Sequence, residues 1–385
     1  MQHKLRLGMV GGGIGAFIGN IHRIASRMDG KFELVCGAFS SDAKKSIESG
    51  LQLGINENRC YQSFAEMFEK ELKLPENERI QVVSIVTPNH VHFEPTKIAL
   101  QNNFHVVLDK PLCFNLKEAL ELKNIVEKST AKFCLTHTYT GYPMIKQAKQ
   151  MIANGEIGIV RKVYVNYVQG WLHTALENDN QKQASWRTNP TQSGIGGAMG
   201  DIGTHAFNLA EYITGLQTIK LSAHINKIID GRQLDDDGAT HLQFNNGASG
   251  VLIATQIATG AENNISIKIY GDKGSIEWEH ENNNSLKINW PDKPSQIYRS
   301  GTPYLHPIAA ANCRTPAGHP EGYLEAFANI YTNFANHILA EKNNTEILPQ
   351  YIDYPSIDDG VRGMQFIEAV IKSGKSNEKW TSFNG

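Results

Sequence analysis

The chain has no long apolar run, no paired cysteine motif and no surplus of charge of either sign. None of its hydrophobic stretches approaches the roughly 18 residues needed to cross a bilayer, so a membrane-embedded protein is not expected. Its five cysteines, Cys36, Cys60, Cys113, Cys134 and Cys313, are scattered and form no Cys-x-x-Cys. That spacing argues against a disulfide framework and fits reduced thiols in a cytoplasm. Lys and Arg number 37 against 39 Asp and Glu, a formal net charge of −2. Nucleic-acid and membrane-surface partners call for a clear basic excess, so neither is expected. The start, Met1-Gln2-His3-Lys4-Leu5-Arg6, leads straight into a strand and shows no signal-peptide core, which again points to the cytoplasm.

What remains is length and an ordinary globular composition. The 385 residues are 41% hydrophobic and 20% charged, enough for two or three domains with real cores. The first 140 residues alternate strand and helix signals. Strands are predicted at 5–10, 32–39, 82–86, 105–108 and 132–136, with helices at 18–28, 64–72, 95–101 and 116–128. That alternation implies a parallel sheet covered by helices on both faces, a Rossmann-type domain over 1–140. Beyond Pro143 the pattern changes. A helix over 144–153 and a half-exposed strand over 161–168 precede strands at 220–229, 238–244, 248–259, 265–271 and 274–279. Asn245-Asn246-Gly247 and Asp272-Lys273-Gly274 read as hairpin turns. Residues 141–385 should therefore form an α+β domain with an open, mainly antiparallel sheet. Residues 287–320 hold six prolines and little periodicity, and read as a long loop.

Gly11-Gly12-Gly13-Ile14-Gly15-Ala16 fits G-x-G-x-x-A between a strand and a helix, the setting of a dinucleotide-binding turn. Gly11 permits the turn, and Gly13 lets backbone approach a pyrophosphate at the helix N-terminus. Ala16 and Gly19 compete for the third small position. The second strand ends in Phe39-Ser40-Ser41-Asp42, with Lys45 close behind. An NAD site usually carries an acid at that tip. Ser40, Ser41 and Lys45 instead suit a 2′-phosphate, so either NAD or NADP is expected, with the residues leaning to NADP. Thr87-Pro88-Asn89 and Asp109-Lys110-Pro111 end two further strands at the carboxyl edge, where the nicotinamide half should lie.

The run Gly194-Ile195-Gly196-Gly197-Ala198-Met199-Gly200-Asp201-Ile202-Gly203-Thr204-His205 places a carboxylate and an imidazole four residues apart. A helix starting near Ile202 brings Asp201 and His205 to one side of its first turn, an arrangement suited to proton transfer. Tyr139, Trp171, His173, Arg187 and His319 are candidates for a substrate pocket of aromatic and hydrogen-bonding groups. No metal site is expected. Asp201, His205 and His319 lack zinc-ligand spacing, and Asp235-Asp236-Asp237 reads as a solvated turn.

Taken together, the glycine loop, Thr87-Pro88-Asn89 with His92, Asp109-Lys110-Pro111 and Gly200–His205 resemble the Gfo/Idh/MocA family, the glucose–fructose oxidoreductase and inositol dehydrogenase group. Where that family usually shows Glu-Lys-Pro, this chain has Asp-Lys-Pro. The resemblance implies a Rossmann domain, an open-faced sheet domain and chemistry in the crevice between them. It implies Lys110, Asp201 and His205 as the catalytic set. His205 would take the hydroxyl proton, Lys110 would stabilise the reacting oxygen, and Asp201 would orient substrate or imidazole. The expected activity is NAD(P)-dependent oxidation of a secondary hydroxyl of a sugar, glycoside or cyclitol. The alternative is a glycosidase or lyase that oxidises transiently and regenerates its cofactor. A non-catalytic nucleotide sensor has no need of Lys110 or His205. The substrate is expected to be a small carbohydrate or polyol. A homodimer or homotetramer is expected through the exposed sheet.

Overall fold

A computed structural model describes residues 4–179 and 181–383. Residues 1–3, part of the N-terminal stretch discussed above, lie outside the described residues. Through residue 141 the chain alternates β1 (Leu5–Gly11), α1 (Phe17–Met28), β2 (Phe32–Ala38), α2 (Ala43–Gln52), α3 (Phe64–Lys73), β3 (Val82–Val86), α4 (Phe93–Gln101), β4 (His105–Leu108), α5 (Leu116–Lys128) and β5 (Phe133–Leu135). The five strands pair in parallel in the order β2-β1-β3-β4-β5. β3 is buried along its whole length, as a strand covered on both faces must be. The order reverses beside β1, so the carboxyl ends of β1 and β3 flank the point where ligands bind in open α/β sheets.

The chain continues through α6 (Pro143–Ala153), β6 (Val160–Gln169), α7 (Lys182–Arg187), α8 (Pro190–Ser193) and α9 (Thr204–Thr214). Then come β7 (Thr218–Asn226), β8 (Asp237–Phe244), β9 (Ser249–Thr255), β10 (Asn263–Gly271), β11 (Ser275–Glu279), β12 (Ser285–Asn289), β13 (Gln296–Arg299) and α10 (Pro307–Ala310). The last elements are α11 (Tyr323–Lys342), α12 (Ile357–Gly374) and β14 (Thr381–Ser382). The second sheet has nine strands in the order β13-β12-β11-β10-β6-β9-β8-β7-β14. Every neighbour pair is antiparallel except β6 and β9, which run parallel. Both expected hairpin turns are present, joining β8 to β9 and β10 to β11. On β6, Val163, Val165 and Tyr167 are buried while Tyr164 is exposed, the alternation of a sheet packed on one face. α9 packs against β6 and β9, and α6 against β11 and β12.

Two differences from the sequence reading concern the later half. Residues 287–320 are not one long loop, for they include the end of β12, all of β13 and α10. The remaining loop is shaped by buried Glu321, whose carboxylate accepts from the backbone N–H groups of Arg314 and Thr315. The chain also divides into compact units differently from a single cut near residue 140. One unit is Met1–Gly141 with Tyr323–Val361, and the other is Tyr142–Gly322 with Arg362–Gly385. α11 belongs to the first unit because its apolar face, with Phe327, Tyr331 and Phe334, joins the core made by Leu5, Leu7, Phe32 and Val82. A helix returning from 180 residues downstream leaves no local signal in the sequence.

Candidate functional site

In the first unit, β1 runs into a glycine loop and then α1. Gly11 has φ of +81°, a conformation that a side chain strongly disfavours. At Gly13 a Cβ would lie 2.6 Å from Ser49 Oγ and 2.8 Å from the Phe39 carbonyl oxygen. The Gly13 N–H donates to that same carbonyl, and the Ile14 N–H donates to Ser49 Oγ at 3.1 Å. The competition for the third small position falls to Gly19, where a Cβ would collide with Gly12 Cα. Ala16 takes the N-cap place of α1 and supplies no side-chain cap. The helix therefore begins with N–H groups that no capping side chain satisfies, and they suit an anion.

At the β2 tip, Asp42 is engaged elsewhere. Its Oδ1 accepts from the Lys45 N–H at 2.9 Å as the N-cap of α2. Ser40 Oγ accepts from the Asp42 N–H, while Ser41 and Lys45 are exposed. After β3, Thr87 Oγ1 is buried without a hydrogen-bond partner, and its methyl lies 2.9 Å from where a Gly11 Cβ would be. Asn89 follows, buried, in a single 3₁₀ turn over Asn89–Val91 that Pro88 precedes. His92 is fully buried, and its ring nitrogens each lie 2.8 Å from a carbonyl oxygen, those of Pro111 and Thr87. His92 thus ties the ends of β3 and β4 together and presents no free ring edge.

Asp109 and Lys110 follow β4, and the Lys110–Pro111 peptide is cis. Asp109 Oδ1 accepts from Thr136 Oγ1 at 2.9 Å and lies 3.6 Å from His22 Nε2. Burial alone would raise the Asp109 carboxyl, but nearby His22 and the charges of Lys110 and His92 outweigh it. The net position is below the usual carboxylate value. Burial, then the Lys110 charge, pushes His137 down to about 3, against a smaller pull from Asp109. Tyr139, in the turn after β5, is buried.

In the second unit the glycine-rich run is clamped by a residue that the sequence reading placed in a solvated turn. Asp235 accepts from the Gly197 N–H at 2.6 Å through one carboxylate oxygen, and from the Met199 N–H at 2.7 Å through the other. Burial raises the Asp235 carboxyl, and those backbone donors only partly oppose it. Asp236 is equally buried and accepts from the Ile228 and Ile229 N–H groups. The expected solvated turn is therefore two interior anchors. Held this way, Met199–Gly203 form a π-helical turn that leads directly into α9, with Asp201 inside the turn and His205 on the α-helix.

Asp201 Oδ2 accepts from Gln256 Nε2 at 2.9 Å and pairs with Arg187 Nε at 3.3 Å. Arg187 also lies over the Trp186 ring. From Gln256 the polar chain continues to Gln169 Oε1 at 3.4 Å, which also accepts from Trp171 Nε1 at 3.1 Å. Gln169 and Tyr167 both donate to Asn263 Oδ1, at 2.6 and 2.8 Å. The Tyr167 ring centroid lies 6.1 Å from that of His205, which is 8% exposed. A cavity of about 250 Å³ opens nearby, lined by Glu177, Thr188, Asn189 and Arg232 among others.

Of the expected pocket residues, Arg187 and Trp171 join this network. His173 is exposed, with Nδ1 against the Gly170 carbonyl, and His319 is exposed in the 311–322 loop, so neither bonds to the network. Gln169, Gln256 and Asn263 escaped the sequence reading because isolated amides carry no spacing signature. Their one signal is position, for Gln169 closes β6 and Gln256 follows β9, the central parallel pair. Among the described residues no cluster of three metal-ligating side chains occurs, and no helix is long and apolar enough to cross a membrane.

Comparisons with known proteins agree with this architecture. Residues 5–137 match the oxidoreductase family with an NAD-binding Rossmann fold, and residues 145–277 match the GFO/IDH/MocA C-terminal domain. An oxidoreductase from Sinorhizobium meliloti has a crystal structure 42% identical in sequence, with a TM-score of 0.87 over 99% of this chain and 100% of its own. An inositol dehydrogenase homolog from Azotobacter vinelandii, complexed with NADH and myo-inositol, is 34% identical, with a TM-score of 0.91 over 99% and 98%. The levoglucosan dehydrogenase of Pseudarthrobacter phenanthrenivorans is 27% identical over 74% of this chain and 76% of its own.

Proposed function

The chain belongs to the GFO/IDH/MocA family and is an NAD-binding oxidoreductase, and on that premise we propose that it oxidises a secondary hydroxyl of a cyclitol or sugar. The observation that carries this reading is the anchored Asp201–His205 turn, set among amides and an arginine that match a polyol's hydroxyls. Myo-inositol in the Azotobacter relative supports the cyclitol class. The first unit fits a dinucleotide. Gly11 takes the positive-φ turn at the end of β1, α1 begins without a side-chain cap, and Thr87 Oγ1 is an unsatisfied buried hydroxyl.

A bound nicotinamide cofactor would supply the hydride acceptor for the carbinol carbon. The protein's share is proton and charge control. His205 accepts the hydroxyl proton at its imidazole. Lys110 donates to the same oxygen and stabilises the negative charge developing there. Asp201, tethered by Gln256 and Arg187, orients substrate and imidazole. Gly11, Gly13, Ile14, Gly15 and Ala16 would hold the pyrophosphate. Thr87, Pro88, Asn89 and Asp109 shape the nicotinamide end, with His92 fixing their backbone. Trp171 and Arg187 bound the polyol. Ser40, Ser41 and Lys45, with Asp42 committed to its cap, favour a 2′-phosphate and hence NADP. The NADH in the Azotobacter relative favours NAD, and relative kcat/KM decides between them. Tyr164 and Ile253, exposed on the open sheet face, suit a homodimer or homotetramer, which solution molar mass tests.

The experiment is a panel of cyclitols and sugars, myo-inositol included, with NAD and NADP, following the reduced cofactor. His205→Ala and Lys110→Ala should each lose roughly 10²–10⁴-fold in turnover while binding cofactor nearly as before. Near-wild-type turnover in either variant contradicts the assignment.

A further inference from the structure

Behind the Asp109–Lys110 strand end lies a buried polar cluster that the proposed reaction does not consume. His22 on α1, Ser84 in β3 and Tyr331 on α11 are each at most 1% exposed. Ser84 Oγ lies 2.9 Å from the Tyr331 hydroxyl, which lies 2.7 Å from His22 Nδ1. Ser84 Oγ is also 3.2 Å from that nitrogen. The other ring nitrogen, Nε2, has no hydrogen-bond partner and stands 3.6 Å from Asp109 Oδ1. Edge contacts with the Phe327 and Tyr331 rings fix the imidazole plane.

One proton arrangement uses all of these groups. Ser84 donates to Tyr331, Tyr331 donates to His22 Nδ1, and the ring proton sits on Nε2, facing the carboxylate. Every donor then points towards a single acceptor, Asp109, which Thr136 also serves. The other tautomer sets a nitrogen lone pair against a carboxylate, turns the Tyr331 O–H towards Ser84 and leaves the Ser84 proton without an acceptor in the cluster, a costly arrangement. The chain of donors starts on two buried hydroxyls, so among the described residues it gives a proton no route to solvent. It acts as a fixed dipole and not as a conduit.

We propose that Ser84, Tyr331 and His22 form a positioning relay that holds the Asp109 carboxylate in place and, through it, the Lys110 ammonium. The proposal rests on the reading of Lys110 as the donor to the reacting oxygen. The charged and titratable groups acting on Asp109 are His22 from α1, Lys110 beside it, His92 ahead of α4 and His137 after β5, with Tyr331 of α11 behind His22. Burial holds His92 and His137 below the ordinary imidazole value. Lys110 is therefore the neighbour that this carboxylate can steer, while His22 presents Nε2 to it at 3.6 Å.

The test uses three single variants of the relay, one double variant and a Lys110→Ala control, assayed with the alcohol that gives turnover in the panel above. Tyr331→Phe removes one oxygen and keeps the ring. His22→Leu removes the imidazole, and His22→Gln restores an N–H near the Nε2 position. Tyr331→Phe should lower kcat about 5-fold and His22→Leu about 20-fold, with substrate KM and cofactor Kd changed less than about 2-fold. The alkaline limb of the kcat profile should move to lower pH in both. His22→Gln should recover most of the loss, and adding Tyr331→Phe to His22→Leu should cost little more. Unchanged kcat and pH profile in folded, cofactor-binding Tyr331→Phe overturn the relay, even if the protein melts earlier. Lys110→Ala, run in parallel, separates the two claims. If it is inactive while the relay variants are normal, the relay alone fails. If it turns over normally, the reading of Lys110 fails and the relay with it.

Discussion

Asp109 and Asp201 are both partly shielded carboxylates, yet their surroundings differ in kind. Asp109 faces a buried imidazole and a buried hydroxyl, and His22 Nε2 has nothing else to point at. Asp201 faces an amide and a guanidinium, each with a second partner. Gln256 reaches Gln169 Oε1, and Arg187 reaches Gln183 Oε1. Amides donate and accept, so the Asp201 network can exchange one partner for another, including a ligand hydroxyl. The Asp109 cluster is closed on itself, since its hydroxyls and imidazole are buried and bond to one another. The contrast matches the proposed division of labour, with fixed polarity beside the reacting oxygen and adaptable polarity where a polyol is read.

The sharpest way to break this comparison is to remove each carboxylate. Asp109→Ala leaves the buried Thr136 hydroxyl without its carboxylate and His22 Nε2 without the charge it faces, and should lower unfolding free energy by about 2–3 kcal/mol, whereas Asp201→Ala should cost under about 1 kcal/mol. Urea unfolding measures both, and equal losses would show that the two settings do not differ as described. Acid sensitivity sharpens the same contrast. His137 titrates at about 3 in the fold, below an ordinary imidazole. The unfolded chain takes up that proton first, so the contribution is whole above about pH 6.5 and fades as pH falls towards 3. Between pH 7 and pH 5 the wild type should lose about 2 kcal/mol that His137→Asn does not lose. Asp109, held below its ordinary value, adds stability that disappears only in stronger acid. The smallest effect is expected on the amide side. Gln256→Ala should raise substrate KM about 10-fold, about 1.4 kcal/mol, and change kcat less than about 3-fold. A collapse of kcat at constant KM would move Gln256 from recognition into chemistry.

The first unit's parallel sheet was legible because its central strands are buried on both faces and so read as mainly apolar runs, as Val82–Val86 does around Ser84. The glycine loop was legible because backbone must approach backbone there, and only glycine allows it at Gly13 and Gly19. The hidden parts were long-range or chemically anonymous. The β6–β9 pairing joins strands 80 residues apart, and α11 completes a core begun at Leu5. Asp235 looked like surface because three consecutive aspartates usually are, and only the fold shows its two backbone partners. His22 carried no motif at all, since its meaning depends on Tyr331, 309 residues away.

The most direct measurement of the central claim is the stoichiometry of reduced cofactor to oxidised product with the best alcohol of the panel. Run it on the wild type and on Lys110→Ala and His205→Ala loaded to equal cofactor occupancy. The account predicts one NAD(P)H per product in the wild type and almost none of either in the two variants. Product without net NAD(P)H, or wild-type rates in either variant, would contradict it.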